Sequence, residues 1–202
     1  MRVIVQGFGP FGGHAANPSE LVVRSLHDHP LPGVDLQTVI LPVTRAAVER
    51  EVPELIASLR PDVWIGVGLW AGRADVTVER FAMNLLDFFL PDGDGLQPRD
   101  EPIDPDSPIA FRTPFPHQEV LAAWKDQGIP AAISNTAGAY LCNLSLFLAT
   151  REMTRLHGET ARAGFVHIPH SPETIGEGAD PTLPLADLSS ALRIAVRVAA
   201  AR

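Results

Sequence analysis

Three residue types in this chain could together do covalent chemistry on a carbonyl: a thiol, an imidazole and a carboxylate. The thiol is Cys142, the only cysteine, in Ser134-Asn135-Thr136-Ala137-Gly138-Ala139-Tyr140-Leu141-Cys142-Asn143. This stretch follows an apolar, strand-like run and leads into a helix-like pattern. A thiol attacks as its thiolate, which forms most readily near a helix N-terminus with a histidine in reach. The alternative is an inert, buried small hydrophobe, the commonest fate of a free cysteine. The imidazole is His167 in Gly164-Phe165-Val166-His167-Ile168-Pro169, at the C-terminal end of a strand and on the same face as Phe165. His170 is its rival, expected on the opposite face. The carboxylate is Glu79 in Val76-Thr77-Val78-Glu79-Arg80-Phe81, an apolar run where a charge is costly to bury unless paired, and adjacent Arg80 offers a structural salt bridge. Glu, Cys and His on separate elements meet the general design of a thiol hydrolase.

The elements that must position these groups read as alternating strands and helices. Val3–Gln6, Leu36–Val43 and Val63–Leu69 are strand runs, and Glu20–Asp28 and Thr44–Arg60 are helical patterns between them. Ser19 and Thr44 are the expected N-caps, and Pro53 should break or restart the second helix. A mixed segment spans Val76–Asp87, followed by a helix over Gln118–Gln127 and a strand ending at Ile133. A helix over Leu144–His157, a strand over Gly164–Ile168 and a helix from Asp187 complete the chain. Nearly continuous apolar strands such as Val63-Trp64-Ile65-Gly66-Val67 belong in a parallel sheet covered on both faces. The expected fold is therefore α/β, a single-domain three-layer α/β/α sandwich with a mostly parallel, twisted central sheet over residues 1–202. Residues 91–116 hold seven of the 19 prolines and predict an extended loop or hairpin excursion. The loop from Ser171 to Pro184 follows the last inner strand, where open α/β sheets bind ligands.

Composition excludes several function classes. With 46% hydrophobic residues in 202, the chain can bury a full core, and its formal charge of −8 disfavours nucleic acid and anionic membranes as partners. One cysteine forms no intrachain disulfide, and the first residues are too short an apolar run for a signal peptide or membrane span, so a cytoplasmic location is expected. Gly7-Phe8-Gly9-Pro10-Phe11-Gly12 matches the dinucleotide-binding G-x-G-x-x-G, but Gly13 to Pro18 intervene before a helix starts, and Phe8, Pro10 and Phe11 crowd the turn. Phe8 and Phe11 suit instead the apolar walls of a pocket for a planar, uncharged ligand.

Five blocks of residues, in order, make a specific pattern. They are Gly7-Phe8-Gly9-Pro10-Phe11-Gly12-Gly13 with Asn17-Pro18-Ser19; Leu41-Pro42-Val43; Glu79-Arg80 with Asn84; Ser134-Asn135-Thr136-Ala137-Gly138 with Cys142-Asn143; and Gly164-Phe165-Val166-His167-Ile168-Pro169. From Val3 to about Pro172 the sequence resembles the pyroglutamyl-peptidase I family, the pyrrolidone-carboxylate peptidases. The resemblance implies a cytosolic cysteine exopeptidase that removes an N-terminal pyroglutamyl residue from peptides, with no cofactor and no metal, assembled as a dimer or tetramer. It implies Cys142 as nucleophile, His167 as general base and acid, and Glu79 as the group that orients the imidazole. Phe8, Phe11, Asn17 and Leu69 are the implied substrate-binding residues. The chain departs from the family where relatives usually read Gly-Gln-Ala-Gly-Gly-Arg, having Gly68-Leu69-Trp70-Ala71-Gly72-Arg73, and has Phe89 where an arginine is common. An exposed Trp70 or the proline-rich loop would suit a subunit contact.

Overall fold

The computed structural model describes residues 1–13, 16–175 and 178–201. His14, Ala15, Gly176 and Glu177, which fall in loops singled out above, lie outside the described residues. Chain order is β1 (Arg2–Phe8), α1 (Pro18–Asp28), β2 (Asp35–Leu41), α2 (Arg45–Leu59), β3 (Val63–Leu69), β4 (Val76–Glu79), β5 (Phe81–Met83), β6 (Ala110–Arg112), α3 (His117–Asp126), β7 (Ala131–Ser134), α4 (Leu141–His157), β8 (Ala163–Ile168) and α5 (Leu185–Ala200). Six strands form the central sheet in the order β2-β1-β3-β8-β4-β7. β2, β1, β3 and β8 run parallel, whereas β4 is antiparallel to β8 and parallel to β7. The fold is a mostly parallel α/β sheet flanked by helices, as the strand patterns predict.

Strand alternation sorts the core into two layers. Val63, Ile65 and Val67 of β3 join Val166 and Ile168 of β8 on the face covered by α1, α3 and α5. Trp64 of β3, Ile4 of β1 and Phe165 of β8 face α2 and α4. On this second face β3 continues as Gly66 and Gly68, so it carries no side chains where α4 approaches. The Phe165 ring fills the space over Gly66 and reaches over Gly68. Among the described residues no helix is long and apolar enough to cross a membrane.

Three local expectations are corrected. Asn17, not Ser19, caps α1: its side chain accepts from the Ser19 N–H, and Pro18 takes the first turn, where a missing N–H costs nothing. The Ser19 hydroxyl is turned inward and bonds Phe8 of β1. Pro53 does not break α2, because Val48, Val52 and Ile56 on either side of it are buried and their packing outweighs the one hydrogen bond it removes. Thr44 caps that helix as expected, accepting from the Ala47 N–H. α4 begins at Leu141, three residues before the expected start, so Cys142 lies inside its first turn.

The proline-rich segment folds back on the chain that precedes it. Leu86 and Glu101 exchange two backbone bonds, the Phe88 N–H donates to the Pro98 carbonyl, and β6 pairs antiparallel with β5. The Asp92 carboxylate accepts from the N–H groups of Arg45, Asp94 and Leu96, and Asp104 pairs with Arg151 of α4 at 2.8 Å. Tyr140, at the N-cap of α4, holds the start of this segment: its hydroxyl donates to the Pro91 carbonyl at 3.3 Å and its ring packs against Phe88 and Phe89.

The glycine gap generates a test. A Cβ at Gly66 would drive into the Phe165 ring, which is fully buried and cannot move outward. Gly66→Ala is expected to lower stability by about 1–3 kcal/mol through overpacking, read as a fall in the urea midpoint.

Candidate active site

The sheet register brings the groups of interest together. Gly68 of β3 is the partner of His167 of β8, and the Cys142 Sγ lies over Gly68, only 2.6 Å from where a Cβ would stand. The thiol thus reaches the sheet through the gap at Gly68 and meets the strand position beside His167. On the other side of β8, Thr77 of β4 is the register partner of His167, and Glu79 follows on the same face. The His167 ring donates from Nδ1 to Glu79 Oε1 at 2.9 Å. With Nδ1 committed, Nε2 is the nitrogen left for the thiol and for a ligand.

Glu79 is wholly buried, and three donors meet on one of its oxygens. Besides His167, Oε1 accepts from the Thr77 hydroxyl at 3.1 Å and pairs with Arg73 at 3.5 Å. Among the described residues Oε2 has no hydrogen-bond partner. Arg80 does not serve this carboxylate; its guanidinium bonds Asn135 at 2.8 Å, because successive strand residues point to opposite faces. The Glu79 carbonyl accepts from the Thr113 hydroxyl at 3.1 Å and lies 3.1 Å from His117 Nε2, which ties the end of β4 to α3.

Sequence reasoning missed Arg73, Thr77, Thr113 and His117 as supports of Glu79. The period-two pattern puts Thr77 and Glu79 on one face, which was the available signal for Thr77. Trp70 is half-buried, less exposed than expected. The Arg73 guanidinium lies 3.7 Å over its ring, and it meets the His167 ring edge-on with centroids 4.9 Å apart and planes at 89°. His170 lies beyond the end of β8, where strand alternation no longer applies, and it lines the same cavity as His167.

That cavity measures about 570 Å³ and opens above Cys142 and His167. Phe8, Phe11, Asn17 and Leu69 all line it. Phe11 packs on Tyr140 with centroids 5.6 Å apart, and Phe88 and Phe89 pack on the same tyrosine at 4.5 and 5.2 Å. The Asn17 side chain is largely spent on its own loop, donating to the Gly9 carbonyl and accepting from Ser19. Among the described residues no cluster of His, Cys, Asp and Glu could hold a metal ion.

Burial dominates the ionisation of the site. It pushes the Cys142 thiol up to about 12, and the Glu79 charge pushes the same way. Burial also holds the His167 imidazole below its ordinary range, against the opposing pull of Glu79. Both effects favour the neutral thiol and the neutral imidazole, against the ready thiolate expected from a helix N-terminus. Desolvation outweighs the hydrogen bond that the Cys142 backbone N–H offers the thiolate.

The model of the pyroglutamyl peptidase family matches residues 1–202. The chain is 39% identical to the pyrrolidone-carboxylate peptidase of Thermococcus kodakarensis over 198 residues, 98% of this chain and 95% of the relative. It is 36% identical to that of Thermoanaerobacter pseudethanolicus over 201 residues, 99% of this chain and 98% of the relative. Among solved structures, the pyroglutamyl peptidase I of Bacillus amyloliquefaciens superposes with a TM-score of 0.93 at 35% identity, covering 100% of this chain and 95% of that one. A mutant pyrrolidone carboxyl peptidase of Pyrococcus furiosus gives 0.93 at 32%, covering 99% and 98%.

The two buried histidines make stability depend on pH. Burial holds both His167 and His117 below the ordinary 6.5, with the Arg80 and Arg112 charges adding to the effect at His117. Above 6.5 each is neutral in the folded and unfolded chain, and their contribution is fully present. As pH falls below 6.5 the unfolded chain takes up protons first, so stability is lost. Urea midpoints are expected to fall between pH 7.5 and 5.5, with a limiting slope of about 1.4 kcal/mol per pH unit for each histidine. His117→Asn should flatten that slope.

Proposed function

The chain belongs to the pyroglutamyl peptidase family, a family of hydrolases, and from that premise we propose that it hydrolyses the bond after an N-terminal pyroglutamyl residue of a peptide. The observation that carries this reading is the placement of the Cys142 Sγ over Gly68, beside a His167 whose Nδ1 is held by Glu79. As Sγ attacks the pyroglutamyl carbonyl carbon, His167 Nε2 takes the thiol proton. Glu79 stabilises the imidazolium that forms and keeps the ring in one orientation. The first N–H groups of α4 have no acceptor within the helix, so they are the groups to receive the developing oxyanion. Collapse breaks the C–N bond, and His167 returns its proton to the leaving amine. A thioester on Cys142 remains. Water then attacks it with His167 again as base, releasing pyroglutamate and the free thiol.

A neutral resting pair suits this sequence, because the proton moves only when substrate fills the site. The pocket suits the acyl group: a lactam carries no charge and no free amine, and Phe8, Phe11 and Leu69 supply apolar walls without a charged clamp. Asn17 acts there by holding the loop that carries Phe8 and Phe11. None of these steps uses a metal or cofactor. The same reading makes the protein a single-domain cytoplasmic enzyme that assembles as a homo-oligomer, with peptides as its partners and no role for nucleic acid or membrane.

Release of a fluorescent amine from a pyroglutamyl amide tests the reading. The amide is expected to be cleaved, and Cys142→Ala to lower kcat/KM by a thousandfold or more, on the order seen when a catalytic nucleophile is removed. The prolyl amide, which lacks the lactam carbonyl, should be rejected by a comparable factor, since buried polar groups would be left unpaired. A folded protein that binds a pyroglutamyl peptide without turnover would overturn the proposal.

A further inference from the structure

We propose that Trp70 is a specificity-determining residue for the leaving side, and that the enzyme prefers an apolar or aromatic residue directly after pyroglutamate. The inference rests on the pyroglutamyl peptidase reading and deepens it. His167 must deliver a proton to the leaving nitrogen, and its Nδ1 is already bonded to Glu79. The leaving nitrogen therefore sits within hydrogen-bond reach of Nε2, about 3 Å. The residue that carries this nitrogen has its Cα one bond further on, so its side chain begins within a few ångströms of the imidazole. Trp70 is the large side chain that meets His167 edge-on and also lines the cavity. Phe11 and Phe89 pack together on Tyr140, a separate aromatic wall. The cavity, at about 570 Å³, is far larger than a five-membered lactam fills, which leaves room for a following side chain against the indole.

The indole is pre-organised for that contact. Arg73 stacks on it at 3.7 Å and is itself held by the Thr77 hydroxyl at 2.8 Å and by Glu79. A fixed aromatic surface takes an apolar side chain with little ordering cost. The guanidinium also sets the charge preference. One cation already engages the ring, so a lysine or arginine after pyroglutamate meets a repulsive charge instead of a free aromatic face. Aromatic and aliphatic residues are therefore favoured over alanine, and alanine over lysine.

The test measures kcat/KM for pyroglutamyl peptides with Phe, Leu, Ala or Lys in second place, using the native enzyme, Trp70→Ala and Trp70→Leu. Partition of the thioester between water and added phenylalanine amide or alanine amide reads leaving-side binding independently of the acylation rate. In the native enzyme Phe should exceed Ala by about tenfold in both assays, the size of a well-packed aromatic contact. The ratio should fall to within about twofold in Trp70→Ala and be intermediate in Trp70→Leu, whatever the absolute rates. If Trp70 only buttresses His167, every substrate slows by one factor, the pH profile shifts and the ratio survives, which overturns the proposal. A native enzyme that cleaves all four peptides equally also overturns it while leaving the pyroglutamyl peptidase reading intact. Failure to cleave any of them would bring down that reading and the inference together.

Discussion

The Cys142 thiol can rest against the sheet only because β3 presents hydrogen atoms at positions 66 and 68, where neighbouring strands carry side chains. A helix packed on an ordinary strand is held off by the side chains between them; here the first turn of α4 descends into the gap. Phe165 occupies the part of the gap at Gly66, and the thiol occupies the part at Gly68. Apolar packing alone would not fix how α4 is rotated about its axis. Directional bonds do. The Asn143 side chain joins both backbone groups of Met83 and the Leu85 carbonyl, and the Ser145 hydroxyl donates to Gln6 of β1 at 2.7 Å. With the residues one and three places on pinned to opposite neighbours, Cys142 has one direction left, toward β8.

The same economy governs the charged part of the site. Glu79 is buried completely, and a lone carboxylate there would be very costly. Three donors on Oε1 offset that cost, yet Oε2 is left without a partner among the described residues. A structure selected for stability alone would replace such a group with apolar side chains. Its retention is explained by what it does to His167: it fixes the ring and supports a positive charge that burial otherwise opposes. The supports of Glu79 reach back through Thr113 and His117 to α3, so the orientation of one imidazole draws on β4, β8 and a helix from the opposite layer.

Much of this was legible in the sequence, and the failures have physical causes. Continuous apolar strands gave away a sheet covered on both faces, and the delayed start of α1 set aside the glycine-rich turn as a nucleotide site. Thr44 was readable as a cap because the capping bond is local. Pro53 misled because local propensity was outweighed by packing across the layer. Arg80 was offered as a structural partner of Glu79 for its adjacency, although strand geometry sends it to the other face; Arg73, six residues away across a turn, could not be found from periodicity. Cys142, His167 and Glu79 were each visible as candidates, but their meeting depends on pairings between residues 74 to 99 positions apart, from Cys142 with Gly68 to Gly68 with His167, which motif order implied and no spacing rule could derive. Trp70 looked like surface because its two partners, Arg73 and His167, come from different elements.

The buried, protonated state of the thiol bears on how long such a protein lasts. Peroxide and other oxidants attack cysteine through its thiolate, and their rate follows the fraction ionised. Desolvation and the Glu79 charge both push the Cys142 thiol away from that form. Whatever lowers the thiolate fraction slows the irreversible sulfinic and sulfonic steps in the same measure. In the proposed reaction, the burial that makes Cys142 wait for substrate before it ionises is also what would preserve it between encounters.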